Sequence, residues 1–232
     1  MKLVLSCEHA GHRIPRRYAA PFAGCERVVA GHRGWDAGAL WLARRLAREF
    51  GAPLHAMPLT RLLVDANRSL HHPQLFSKYS LRLPATERSA LIERVYRPHR
   101  EAIESGLAAL VRTAEPVLHV AVHSFTPRWK GRARRCDVGL LYDPRRAGER
   151  RLCERWQQLL RAREPELRVR RNHPYRGVAD GLTTHLRRRF PARSYLGVEL
   201  ELSQARVARS SPQRLRLARL LAGSLRELLG SS

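Results

Sequence analysis

Short apolar runs alternate along the chain with longer stretches of helical periodicity, an order that predicts strands interleaved with helices. Lys2–Cys7 is an apolar run that ends at Glu8, His9 and Ala10 before Gly11, the pattern of a buried strand opening into a loop. Over residues 35–50 the period is helical: Ala39, Leu42, Leu46 and Phe50 share one face, while Arg44, Arg45 and Arg48 lie off it. Gly51 and Pro53 stop that helix. Two short apolar runs follow at 54–59 and 62–64, and the second delivers Asp65, Asn67 and Arg68. Residues 86–113 read as a long helix with Thr86 as its N-cap and a kink at Pro98, where a backbone donor is missing. Residues 117–122 form a strand carrying His123 and Ser124 at its end. Further strands are expected at 138–142, 167–169 and 195–202, and further helices at 148–163, 181–190 and 212–229.

No linker, repeat or break in composition divides the chain, so residues 1–232 are read as one domain. Strands alternating with helices imply an α/β sheet covered on both faces, whose ligand site lies at the carboxyl ends of the strands. The polar residues of interest fall at those ends: His9, the Asp65, Asn67 and Arg68 group, His123, Asp143, and Glu199 with Glu201.

Composition narrows the class. Hydrophobic residues make up 44% of the 232, enough for a sizeable core. No run approaches the roughly 18 apolar residues of a membrane helix, and the apolar start is too short for a signal peptide, so a cytoplasmic protein is expected. The four cysteines show no metal-ribbon spacing, which leaves reduced thiols as the default. Against 20 acidic residues stand 44 basic ones, a net charge of +24. That balance raises a nucleic-acid-binding protein as an alternative. The positive charge is nearly all arginine, with Lys2, Lys78 and Lys130 the only lysines, and it is spread along the whole chain. Such usage also fits a coding bias, and non-specific binding to polyanions follows in either case.

Two histidines, a carboxylate and an open water position make a catalytic zinc site, and His9 and His123 are placed to share one cleft. Asp36 is the leading carboxylate, with helix capping as its structural alternative; Glu8 and His12 are competing ligands. Asn67 and Arg68 carry the directional donors that grip a carboxylate, although Asp65 and Asn67 also suit a turn. Glu199 and Glu201 share one face of an apolar strand, where an unpaired acid is costly unless it works as a base. Ser124 lacks the elbow of a serine hydrolase, and Cys7 is expected to be buried and inert despite sharing a face with His9.

Taken together, these segments resemble the N-formylglutamate amidohydrolase family. The matching pieces are 6–11 with Ile14 and Pro15, then 36–39, 63–69, 123–127, 137–144, 172–177, 180–184 and 197–204, in order over nearly the whole chain. The resemblance implies a hydrolase that cleaves the N-acyl amide of an acidic amino acid, releasing formate and glutamate in the namesake reaction. It also implies kinship with zinc carboxypeptidases and aspartoacylases, whose fold is a three-layer sandwich around a mixed central sheet. By that analogy His9 and His123 are metal ligands, with zinc or another divalent cation as cofactor, and Asn67 and Arg68 hold the substrate carboxylate. Glu201, or Glu199, is the catalytic acid–base group, and Arg176 is a cation near the developing oxyanion. The wider group uses His-x-x-Glu, whereas His12 stands three residues after His9, so Asp36 is inferred as the third ligand.

Overall fold

The computed structural model describes residues 1–113, 115–208 and 210–230. In chain order come β1 (Lys2–Cys7), α1 (Glu26–Ala30), α2 (Ala39–Phe50), β2 (Leu54–Ala56), α3 (Ala85–Leu91), α4 (Arg97–Val111) and β3 (Val117–Phe125). A small hairpin of β4 (Arg128–Trp129) and β5 (Arg132–Ala133) follows. Then come β6 (Val138–Leu141), α5 (Ala147–Arg163), β7 (Val169–Arg171), α6 (Leu182–Arg189), β8 (Tyr195–Ser203), α7 (Gln204–Val207) and α8 (Pro212–Gly230).

Six strands make one sheet in the order β2-β1-β3-β8-β6-β7. The first four run parallel, β6 is antiparallel to β8, and β7 is parallel to β6. The sheet is therefore mixed. Parallel strands need helical crossovers, and these cover both faces. On one face Leu5 of β1, Val120 and Val122 of β3, and Leu200 and Leu202 of β8 pack against α2, α5 and α8. There the buried Trp156 Nε1–H donates to Ser224 Oγ (2.9 Å) and ties α5 to α8. On the other face Val4, Val117 and Tyr195 meet Ile103 and Leu107 of α4 and Leu182 and Leu186 of α6. The result is a three-layer α/β sandwich.

Several local expectations are corrected. The run 62–64 is a turn, not a strand; Leu62, Leu63 and Val64 are apolar because they fill a separate cluster with Tyr79, Leu91 and Tyr96. Apolarity reports burial, and a run this short does not fix conformation. Of 54–59 only Leu54–Ala56 joins the sheet, with Leu59 bridging to Arg13. The long helix is α3, a π-helical turn over Ile92–Tyr96, and α4 in unbroken succession, so the irregularity expected at Pro98 takes the form of a π turn just ahead of it. Pro84, and not Thr86, precedes the first helical residue. The strand expected at 167–169 lies at Val169–Arg171. Residues 35–38 are a turn preceding α2, entered through Gly38 at φ 86°, where a Cβ would collide with the Val207 carbonyl oxygen. That turn frees Asp36 from capping.

Candidate functional site

β1 and β3 are adjacent and parallel, with Ser6 level with Ala121, so their carboxyl ends finish side by side. This brings His9 and His123 together from opposite halves of the sequence, with ring centroids 5.0 Å apart. The 35–38 turn is tied down by the Asp36 N–H donating to the His9 carbonyl (3.0 Å). Asp36 Oδ2 then lies 2.9 Å from His123 Nδ1 and 3.3 Å from His9 Nδ1, and accepts the Ser124 N–H at 3.2 Å. One ligand atom from each of His9, Asp36 and His123 lies within 4.8 Å of the other two, and all three residues are buried.

The outer nitrogen of each ring is backed by a buried carboxylate. His9 Nε2 is 2.7 Å from Asp65 Oδ1, and His123 Nε2 is 2.9 Å from Glu8 Oε2, the latter a charge contact without hydrogen-bond alignment. Metal-binding imidazoles are held in this way, one nitrogen on the metal and the other on a carboxylate that fixes ring orientation and raises basicity. Asp65 is itself clamped by Arg61, through Nη2 (2.7 Å) and Nε (3.1 Å), and by the Asn67 N–H (3.0 Å). Glu8 therefore stands behind His123, outside the group of donor atoms that His9, Asp36 and His123 bring together. His12 also leaves the cluster, packing its ring against Trp35.

Electrostatics follow from that packing. Burial opposes charge on His123, but its hydrogen bond to Asp36 and its contact with Glu8 outweigh burial and raise its pKa well above the ordinary value. Burial likewise opposes ionisation of Glu8, yet His123 beside it holds the carboxyl down at about 2. Asp36 is also depressed, its burial overcome by the two imidazoles. Glu201 goes the other way: burial, with Asp36 and Glu199 adding like charge, lifts its pKa to about 8.

β8 lies between β3 and β6, so Glu199 and Glu201 stand on an interior strand of the sheet. Glu201 is level with His123 across β3 and with Gly139 across β6. A Cβ at Gly139 would crowd the Glu201 Cβ at 3.2 Å and collide with the His173 carbonyl oxygen, so glycine keeps this flank open. Glu201 Oε2 is buried without a hydrogen-bond partner. Glu199, by contrast, accepts the Thr183 hydroxyl at 2.7 Å. Across the cleft, Asn67 Oδ1 accepts the Leu182 N–H (2.7 Å), and Arg68 Nη1 donates to the Asp180 carbonyl (3.1 Å).

All eight residues singled out for the site, His9, Asp36, Asn67, Arg68, His123, Arg176, Glu199 and Glu201, line one cleft of about 190 Å³. Asp143 is taken up by Arg145 instead, at 2.9 Å. Cys7 is fully buried and its thiol is pushed well up by burial, so it is protonated and unreactive. Arg61, Tyr175 and Asp180 also line the cleft, and none was marked by spacing or residue type. Asp65 was visible as one of a polar group but not as the partner of His9. Among the described residues no helix is long and apolar enough to cross a membrane.

The model of the N-formylglutamate amidohydrolase family matches residues 1–208. Gene product Atu2144 of Agrobacterium tumefaciens superposes with a TM-score of 0.84 at 29% identity, over 99% of this chain and 91% of that one. The N-formylglutamate amidohydrolase of Ralstonia eutropha JMP134 does so with 0.74 at 20% identity, over 98% and 93%. A bacteriophage poly-gamma-glutamate hydrolase shares the fold more distantly, at 0.50 and 12% identity over 100% and 86%. No curated protein sequence matches significantly. A family model spanning nine-tenths of the chain settles the assignment: this chain belongs to the N-formylglutamate amidohydrolase family and is an amide-cleaving hydrolase.

Proposed function

We propose that the protein hydrolyses the N-formyl, or another N-acyl, amide of an acidic amino acid such as N-formyl-L-glutamate, with a zinc ion held by His9, Asp36 and His123. The observation that carries this reading is the convergence, in one cleft, of that donor set, the unpartnered Glu201 carboxyl, and the cationic group of Arg68 and Arg176. Two imidazole nitrogens and a carboxylate oxygen are the donor chemistry of a catalytic zinc with an open position, and the Asp65 and Glu8 carboxylates behind the rings strengthen the fit. Zinc bound there supplies Lewis acidity and a water of lowered pKa.

The chain's own groups do the rest. Glu201 takes a proton from the attacking water and hands it to the leaving amine, which suits a carboxyl whose pKa stands near neutrality at about 8. Glu199 is occupied by Thr183 and positions the start of α6, so Glu201 is the base. Arg68 fixes the substrate carboxylate, and the Asn67 amide N–H groups remain free for it because its oxygen already accepts from Leu182. Arg176, exposed at the mouth, stabilises negative charge that builds on the carbonyl oxygen.

Zinc content and formate release from N-formyl-L-glutamate test the reading. His9→Ala is expected to lose both. Glu201→Gln is expected to keep zinc and lose roughly 10²–10⁴-fold in kcat. Full activity in both variants removes the assignment.

A further inference from the structure

Beside the cleft lies a second chamber of about 300 Å³. The two share Asp36, Arg61, Ser124 and Tyr175 as a common wall, so the chamber meets the candidate metal cluster at Asp36, and Asn67 and Arg68 line only the cleft. Its walls include Phe125, Trp129 and Tyr175, with His32, Arg33, Gln74 and Gln204 as polar groups at the rim. Trp129 sits on the β4–β5 hairpin and is 51% exposed, and Tyr175 is 44% exposed. Arg134 holds these rings in place: its guanidinium lies 5.3 Å from the Trp129 centroid, 5.0 Å from Tyr175 and 5.7 Å from Phe125, and it donates to Tyr175 Oη at 2.9 Å. Large aromatics left uncovered beside a reaction centre, yet fixed by a cation, are a preformed binding surface.

With the amino-acid carboxylate on Asn67 and Arg68, which line the cleft and not the chamber, the chamber beyond Asp36 is the space left for the acyl group. A formyl carbon carries only hydrogen there. A site built solely for formyl would close against that hydrogen, because apolar pockets discriminate size by being filled. Here the acyl side faces room for a ring. We propose that the chamber is an acyl-binding subsite, and that the preferred substrates are N-acyl acidic amino acids whose acyl group is aromatic. Hydrolysis is balanced as for formyl: water adds, the amide C–N bond breaks, and the aromatic carboxylic acid and the free amino acid leave. This proposal rests on the amidohydrolase reading above.

The test is equilibrium binding to zinc-loaded Glu201→Gln protein, followed by calorimetry with N-benzoyl-L-glutamate and N-formyl-L-glutamate. The benzoyl compound is expected to bind at least about tenfold tighter, the size of one good aromatic contact with its burial. Trp129→Ala should shrink that margin to about twofold, and Trp129→Phe should restore most of it. Equal or weaker binding of the benzoyl compound, or a margin that survives Trp129→Ala, overturns the subsite. Cleavage of neither amide by the wild-type enzyme overturns the amidohydrolase reading instead, and the binding margin is read independently of it.

Discussion

His119 and His123 stand on the same strand and the same face, four residues apart, and both are buried, yet their surroundings drive them in opposite directions. In the middle of β3, His119 Nε2 is 2.8 Å from Ser6 Oγ and Nδ1 is 2.9 Å from Tyr195 Oη. Two hydroxyls can each donate or accept, so they complement the one N–H and one lone pair of a neutral imidazole. Burial then lowers its pKa to about 4. At the carboxyl end, His123 has carboxylates on both nitrogens and its pKa is raised. One residue type thus serves as a core polar link or as part of a candidate metal cluster, and the difference lies in what the neighbouring strand and loop supply.

The largest expected effect separates these roles. His123→Ala should abolish stoichiometric zinc binding and formate release, because only two donors remain and Asp36 and Glu8 lose the charge between them. His119→Gln should retain the metal and most of the activity while losing stability in urea. A His119 variant that sheds zinc as readily would break the comparison.

Acid should reveal His119 next. Its folded pKa of about 4 lies below the unfolded value of 6.5, so its contribution is complete above pH 6.5 and lost as pH falls through 4. The fall from 6.5 to about 4 corresponds to about 3 kcal/mol. His9 and His123 are raised and titrate in the opposite sense: what they add is full below pH 6.5 and fades as pH rises. The informative quantity is therefore the stability difference between wild type and His119→Gln, in which those two cancel. It should narrow by about 3 kcal/mol from pH 7 to pH 4. Parallel urea-stability curves across that range would refute it.

Much of this was legible in the chain. The strand that leads into His9 and those that carry His123 and Glu201 near their carboxyl ends are apolar runs with polar residues at the end, and a parallel arrangement gathers such ends by construction. What stayed hidden depends on loops. Glu8 and His9 are neighbours in sequence, which made both look like ligands, but only the register of β1 on β3 shows Glu8 reaching beneath His123. Asp65 and Arg61 face the site because 57–68 folds as turns over a separate apolar cluster, and no period in that stretch announces it. Asp36 could equally have capped α2, until Gly38 places the helix start beyond it. The +24 charge was the loudest signal and the least specific. Many arginines are taken up by acids, as Arg155 and Arg163 both are by Glu227, and Arg168 and Arg206 by the buried Asp137.

Glu8→Gln sharpens the comparison at the other end of the strand, by making the setting of His123 resemble that of His119. The amide keeps the shape but removes the charge behind Nε2, so the ring becomes less basic while its Nδ1 still faces Asp36. Zinc affinity should fall about 10–100-fold, the usual cost of losing a carboxylate behind a ligating histidine. Zinc titration against a competing chelator reads this directly.

The smallest effect comes from Tyr195→Phe, which removes one of the two hydroxyls that hold His119 neutral. The ring of Tyr195 is fully buried against Phe190, at 5.7 Å between centroids, so the phenyl group keeps its packing. Only the hydrogen bond to Nδ1 goes, and it leaves one buried imidazole nitrogen unsatisfied. The loss should be about 1–3 kcal/mol by urea denaturation. Because Ser6 remains on Nε2, the imidazole can still satisfy one nitrogen as a neutral ring, and zinc content should not change. If Tyr195→Phe released zinc as Glu8→Gln weakens it, the middle and the end of β3 would be one coupled network and not two environments.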